Sequence, residues 1–458
     1  MVLDRRQVVA ASAAALAAGV RPGMRRAGVQ AICPDAMLHE QSATREQAAL
    51  DAIAQALLQY TPEVALAEEE SLLLDLSASL RAFGGRLALS RLVRATVLAL
   101  GFTPCLGMAP TAQGAWLLAR RPERRRRTAA LGTLVRQLDA LPCRLLPALR
   151  PHLEWLDGIG CTTLGGVHKL PGAGLRRRTG KEVPAALARA YGEAPELFNW
   201  VEPPASFAGK LELPDRIEHA EAVLFGARRL LLQLTGWLVA RQQAVSRFLL
   251  LLEHERGRSA IAPTALEIAL ADPVWHEEHL TRLLKERLGR LTLAAPVIAL
   301  RLETRQLDAM QPPTASLFPD PGGTPADYHR LLELLSARLG DRSVLTPAPR
   351  ADHRPEICNA WVPAGAVMRP APVPPHHAER PFWLLESPLP LQLQGHRPFY
   401  RSPLRMLKGP ERIESGWWDG ALAVRDYFIA RDDSSRLYWI YRERHGDDVR
   451  WFLQGLFA

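Results

Sequence analysis

The chain has 458 residues, 48% of them hydrophobic and 23% charged, which is enough apolar content for two to four cores. No stretch reaches the roughly 20 uninterrupted apolar residues of a membrane span, since even LFGARRLLLQLTGWLVA (224–240) is broken by Arg228 and Arg229, so a soluble protein without a membrane partner is expected. Lys and Arg (57) outnumber Asp and Glu (48), giving a net charge of +9 carried mostly by arginine, which either marks an anionic partner such as nucleic acid or reflects a GC-rich genome that encodes Arg for Lys.

At the N-terminus, DRRQVVAASAAALAAGV (4–20) admits two readings. Paired arginines before small apolar residues have the form of a twin-arginine export leader; otherwise the alanines belong to the fold. Five scattered cysteines (Cys33, Cys105, Cys143, Cys161, Cys358) show no CxxC or Cys/His spacing for zinc. They read as small buried hydrophobes in a reducing compartment, which weighs against export.

EQAALDAIAQALLQY (46–60) has helical periodicity, with apolar residues at i, i+3, i+4 and i+7. ESLLLDLSAS (70–79) is a short apolar run fit for a central strand, GFTPCLGMAP (101–110) is a second, and LTLAAPVIALRLE (291–303) is also strand-like. Interleaved helices and strands predict a multidomain mixed α/β (α+β) protein. The basic run RRPERRRR (120–127) reads as a solvated helix end, with phosphate contact as the second reading.

LEWLDGIGCTTLGGVHKLPGAGLRRRTGKEV (153–183) has the form of a helix-hairpin-helix, whose small turn lets backbone N–H groups meet a DNA phosphate without reading bases. Gly158 and Gly160 flank the turn, Thr162 and Thr163 stand where they can cap the next helix, and Arg176, Arg177 and Arg178 follow within reach of a neighbouring phosphate. The plainer alternative is an ordinary helical hairpin with a glycine turn.

Composition breaks at MQPPTASLFPDPGGTP (310–325) and again at VPAGAVMRPAPVPPHHAERP (362–381), both expected to be tether. His376 and His377 in the second are poorly spaced for one metal. The tail from 416 to 458 reads as three strands turning at DDSS and HGDD, with Tyr438, Ile440 and Arg442 on one face and Leu437, Trp439 and Tyr441 on the other. Its aromatics suit the core of a small sheet or a docking face better than base stacking.

Together these pieces resemble a Y-family (translesion) DNA polymerase. VVAASAAALAAGVRPGM (8–24) is similar to the family's "YEAR..GV..GM", EEESLLLDLSASLRAFGG (68–85) to the strand carrying "SIDEAYLD", and GFTPCLGMAPTAQGAWLLAR (101–120) to "G...S.GIAPNK..AK.AS". The resemblance implies fingers over 1–60, palm over 61–142, a helix-hairpin-helix thumb over 143–200 and a little finger over 201–305. A proline-rich linker over 306–415 and a C-terminal β segment over 416–458 would follow.

Family members polymerise with two metal ions held by palm carboxylates. Here Ser71 aligns with the catalytic glutamate and Glu70 with its aspartate neighbour, although a one-residue slip restores a carboxylate; Asp75 is nearby. The first metal-binding strand, "VD.D.F", would precede Met1. The triphosphate contacts align with Ala13, Leu16, Ala112 and Trp116, none of them charged.

A degenerate core, a proline-rich extension and the terminus GPERIESGWWDG…WFLQGLFA most resemble the non-catalytic branch of the family that serves the bacterial damage-induced mutasome. That branch implies a cytoplasmic, nucleoid-associated adaptor with no cofactor. Its partners would be DNA, the sliding clamp, an error-prone replicative-type polymerase and a RecA-like accessory protein. The competing expectation is an active polymerase using Mg2+ held by Glu70, Asp75 and a displaced acid. TASLFPD (314–320) is similar to clamp peptides of the form QL(S/D)LF, placing Ser316, Leu317 and Phe318 at the clamp, with Thr314 in place of glutamine.

Overall fold

The computed structural model describes the whole chain apart from residues 122–125, 256–260, 312–324, 341, 365, 367–378, 445–448 and 458. It divides into two compact units, Met1–Pro321 and Gly322–Ala458.

The first unit opens with strands β1 (Val2–Asp4) and β2 (Gln7–Ala10), joined by Arg5 and Arg6, both at positive φ. The paired arginines are therefore a two-residue hairpin turn, whose backbone twist matches that of the strands. The alanines beyond it form α1 (Ala13–Ala17), capped by Ser12, whose hydroxyl accepts the Ala15 N–H at 3.3 Å. With α2 (Arg26–Ile32) and β3 (His39–Glu40), parallel to β1, they enclose a small core of Leu3, Val8, Ala15, Val20 and Val29.

Helix α3 (Ala43–Leu57) starts at the Ser42 cap and buries Ile53, Ala54, Ala56 and Leu57, the apolar stripe its periodicity predicts. It leads into β4 (Val64–Ala67) and β5 (Ser71–Leu74), an antiparallel hairpin, and then α4 (Arg86–Ala99). The expected central strand at 70–79 is thus four residues of a two-stranded sheet. The strand expected at 101–110 does not form, and among the described residues its only β-pairing is an isolated bridge from Met108 to Arg127. Gly101 turns the chain at φ 90°, and Pro104 and Pro110 offer no ladder donors.

Helices α5 (Ala112–Ala119), α6 (Leu131–Asp139), α7 (Leu153–Gly158), α8 (Leu164–His168), α9 (Gly172–Thr179) and α10 (Glu182–Tyr191) follow, with tight turns at Cys143–Leu145 and Pro147–His152. They share a core built on Leu134, Leu138, Leu149, Leu156 and Leu164. Of the cysteines only Cys143 is buried, its thiol pushed up to about 11 mainly by desolvation, while Cys105 is exposed, so the expectation that all five are buried hydrophobes does not hold.

The unit ends in a β-α-β-β-α-β array: β6 (Ala208–Ile217), α11 (Ala220–Ala240), β7 (Gln243–His254), β8 (Thr264–Val274), α12 (Glu277–Leu288) and β9 (Val297–Ala309). The sheet runs β6-β9-β7-β8, every neighbouring pair antiparallel. Helix α11 has the length and apolar composition of a membrane span but lies mostly buried. It crosses α3 so closely that a Cβ at Gly236 would sit 1.9 Å from the Gln55 carbonyl oxygen.

The second unit carries α13 (Pro325–Leu339) and a hairpin of β10 (Leu345–Pro349) and β11 (Asn359–Pro363). A seven-stranded antiparallel sheet follows, made of β12 (Trp383–Gln394), β13 (Arg397–Tyr400), β14 (Ser402–Pro403), β15 (Arg405–Ser415), β16 (Ala423–Arg431), β17 (Leu437–Glu443) and β18 (Arg450–Leu456). Its order is β14-β13-β12-β18-β17-β16-β15.

The last three strands are those the alternation predicts. Tyr438 and Ile440 join one cluster, Trp439 and Tyr441 another, and all four are buried. The DDSS turn lies between β16 and β17, whereas HGDD is outside the described residues. The 306–415 stretch read as tether differs from expectation, because β10 through β15 lie within it. The β12–β18 register shifts between Leu384 and Leu389, around Pro388.

Candidate functional site

Ser71 and Trp116, far apart in sequence, meet around Arg120. The β4–β5 hairpin turns through Glu68, Glu69 and Glu70, the last two at positive φ, and α5 lies beside it. Trp116, 5% exposed, donates its indole N–H to the Glu68 carbonyl at 3.2 Å. The Arg120 guanidinium stacks over that indole at 3.4 Å from the ring centroid. It also donates to the Ser71 hydroxyl at 3.0 Å, the Glu69 carbonyl at 3.1 Å and the Glu69 carboxylate at 3.1 Å. Arg150, from the turn Pro147–His152, pairs with the other Glu69 oxygen. The hydrogen bond from Arg150 is the main cause that holds the Glu69 carboxyl below its usual value, with Arg120 adding to it against desolvation.

The Arg120 contacts correct the reading of RRPERRRR as a solvated helix end: its first arginine is tied into the palm-like hairpin. Residues 122–125 of that run lie outside the described residues.

Two divalent ions need free carboxylate oxygens converging on one point. Glu69 spends both of its oxygens on arginines. Ser71 donates its hydroxyl to the Glu69 carbonyl at 3.0 Å. Glu70 and Asp75 bracket β5 and so lie roughly 16 Å apart at about 3.3 Å per residue. Asp75 accepts the Ser77 N–H at 2.8 Å, fixing its own turn. Among the described residues no three His, Cys, Asp or Glu side chains gather as a metal site. The described carboxylates therefore do not converge as a two-metal centre requires.

The aligned triphosphate positions are likewise committed or exposed. Ala112 begins α5, where the Ala112 and Gln113 N–H groups donate to Glu196 at 2.7 and 2.8 Å, and Gly114 donates to Thr111 Oγ1 at 3.1 Å. An internal carboxylate thus takes the helix end that elsewhere receives an anion. Ala13 and Leu16 are exposed on α1, around a different core.

In the thumb-like region α7 and α8 flank the turn Ile159–Thr163. Gly158 and Gly160 are exposed with open space where a Cβ would be, and Gly160 has φ 77°. Thr163 alone caps α8, accepting the Gly166 N–H at 3.2 Å, while Thr162 uses its carbonyl to accept from Cys143 at 3.0 Å. The expectation of a cap from both threonines is corrected in that respect. Arg176, Arg177 and Arg178 are exposed in the last turn of α9, with Arg178 over Trp155 at 5.5 Å. Exposed cations of the β6–β9 sheet pair with carboxylates: Arg301 and Arg305 with Glu303 at 2.8 and 3.1 Å, and Arg247 with Glu267 at 3.4 Å. Ser316, Leu317 and Phe318, and also His376 and His377, lie outside the described residues.

Sequence reasoning missed Glu69, Arg120, Arg150 and Glu196. Only the charge of each was visible, since their partners are 51 to 84 positions away or on another helix.

Residues 2–120 match the model of the impB/mucB/samB family, over the stretch that carries the motif resemblance. Over nearly its whole length the chain is similar to Protein ImuB of Caulobacter vibrioides, found in two strains: 26% identity, covering 96% of this chain and 100% of that protein. Among solved structures, a Dbh ternary complex is matched at TM-score 0.38 and 16% identity, covering 66% of this chain and 90% of that one. A Y-family DNA polymerase chimera of Dbh and Dpo4 is matched at TM-score 0.36 and 17% identity, covering 66% and 88%.

Proposed function

We propose that this chain is a non-catalytic Y-family polymerase homologue that acts as a DNA-binding adaptor in damage-induced mutagenic translesion synthesis. The observation that carries this reading is Arg120, which sits between Ser71 and Trp116 and takes both Glu69 and the Ser71 hydroxyl. A guanidinium at that point repels divalent metal and occupies the Glu69 carboxylate.

The adaptor would contact duplex backbone through the exposed Arg176, Arg177 and Arg178 beside the glycine turn, and through arginines of the β6–β9 sheet. Their surface ion pairs are worth little and yield to phosphate. Ser316, Leu317 and Phe318 would engage the sliding clamp as an extended peptide, and the second unit would recruit the error-prone polymerase and the RecA-like accessory protein. Such tethering raises effective concentration to about millimolar without any chemistry in the adaptor. Action in the cytoplasm, on the nucleoid, follows from that role.

A reconstituted lesion-bypass reaction tests it. Adding the chain to clamp, accessory protein and error-prone polymerase is expected to raise bypass, and Leu317→Ala with Phe318→Ala to remove the gain. Bypass that is unchanged by the chain would contradict the adaptor reading.

A further inference from the structure

In the second unit the β15–β16 hairpin ends in the loop 416–422, which presents two exposed tryptophans. Trp417 is 71% and Trp418 54% exposed, their rings edge to face at 4.6 Å. The two indoles forgo the stabilisation that burial would give, and the Arg354 guanidinium lies against the Trp418 ring at 5.6 Å. Arg354, 4% exposed, bridges Asp352 at 2.8 Å and Asp419 at 2.5 Å, and donates to the Ala421 carbonyl at 2.9 Å. Gly416 lies at φ 85°, and a Cβ there would meet that carbonyl at 2.2 Å and the Arg354 guanidinium at 2.6 Å.

Three pairs along the same hairpin stands a buried carboxylate, Asp426, opposite Arg412 in β15 and Arg442 in β17. Asp426 is fully buried and receives Arg412 at 3.0 Å, Arg442 at 3.0 Å and Arg444 at 3.7 Å. Burial pushes its carboxyl up, but the hydrogen bonds from Arg412 and Arg442 outweigh this and keep it ionised below its usual value. Three guanidiniums share one carboxylate, so two positive charges are left over, and 38–54% of each arginine side chain faces solvent. The tryptophan loop is about 10 Å away along the strand, at roughly 3.3 Å per residue.

We propose that this end of the hairpin binds single-stranded nucleic acid, with bases stacking on Trp417 and Trp418 and the phosphodiester backbone held by Arg412, Arg442 and Arg444. Aromatic platforms beside surplus guanidinium are the combination that holds single strands without reading sequence. The loop residues next to the indoles, Gly416, Asp419 and Gly420, are small or acidic, and Leu422, 48% exposed, is the loop's one other large apolar side chain. The site lies in a different unit from the thumb arginines and does not depend on them.

The test measures binding of the full chain to a labelled oligothymidylate and to a labelled duplex across a salt series, with ultraviolet cross-linking of a 5-iodouracil oligonucleotide to the unaltered chain. Trp417→Ala with Trp418→Ala should weaken single-strand binding about tenfold or more and leave duplex binding unchanged. Arg444→Gln, the most distant of the three from Asp426, should make the single-strand salt slope shallower by about 0.7. Cross-links should map to the peptide containing Trp417 and Trp418. Unchanged single-strand affinity, equal losses on both nucleic acids, or cross-links confined to Met1–Pro321 would each overturn the proposal. Loss of duplex binding on removing Arg176, Arg177 and Arg178 reports on the adaptor reading alone.

Discussion

Arg120 stands between the two positions, Ser71 and Trp116, at which the Y-family alignment calls for a metal-binding carboxylate and a triphosphate-binding lysine. Replacing it with alanine removes a cation–π contact and leaves the Glu69 carboxylate with Arg150 only. The expected cost is about 2 kcal/mol, read as a fall in the urea midpoint of the full chain, with Arg120→Lys recovering part of it. Glu69 makes the same contact pH-dependent. Its carboxyl is depressed in the folded chain, so its contribution is complete above the ordinary value of 4.5 and is lost as pH falls through the depressed one. Stability measured from about pH 6 down to pH 3 should fall more steeply for the unaltered chain than for Glu69→Gln. The substituted positions were legible in the sequence because a serine and a tryptophan stand where charge is needed. The group that fills the gap was not, because the fold alone brings residues 69, 120 and 150 together.

Among the elements, those with a clean period were legible: α3 from its helical stripe, and β16 to β18 from alternation that places Tyr438 and Ile440 on one side and Trp439 and Tyr441 on the other. Elements that depend on remote partners were not. The 101–110 run has strand-like apolarity but among the described residues forms only the Met108–Arg127 bridge, and the proline-rich 306–415 stretch gains strands because β18 and the hairpins supply the pairing. The helical hairpin at 153–183 was visible through its glycines, and its function belongs to the same scale. Changing Arg176, Arg177 and Arg178 to alanine should weaken duplex binding and reduce the salt slope by up to about 2.7, measured by titration at several salt concentrations. An unchanged slope would take the thumb-like helices out of the interface.

Across the whole molecule, a first unit whose residues 2–120 match the impB/mucB/samB model is followed by a β-rich second unit, with Glu69, Arg120 and Arg150 of the first spent on each other. Mixed α/β architecture and a family likeness were readable from motif order, whereas the folding of the second unit was hidden by its prolines. The central claim of the adaptor proposal is that the β4–β5 hairpin and α5 keep their shape without polymerase chemistry. Primer extension by the purified full chain on a primed template, with Mg2+ or Mn2+ and all four deoxynucleotides, tests it most directly. No incorporation above background is predicted while the primed template stays bound; robust incorporation that saturates with nucleotide would contradict it.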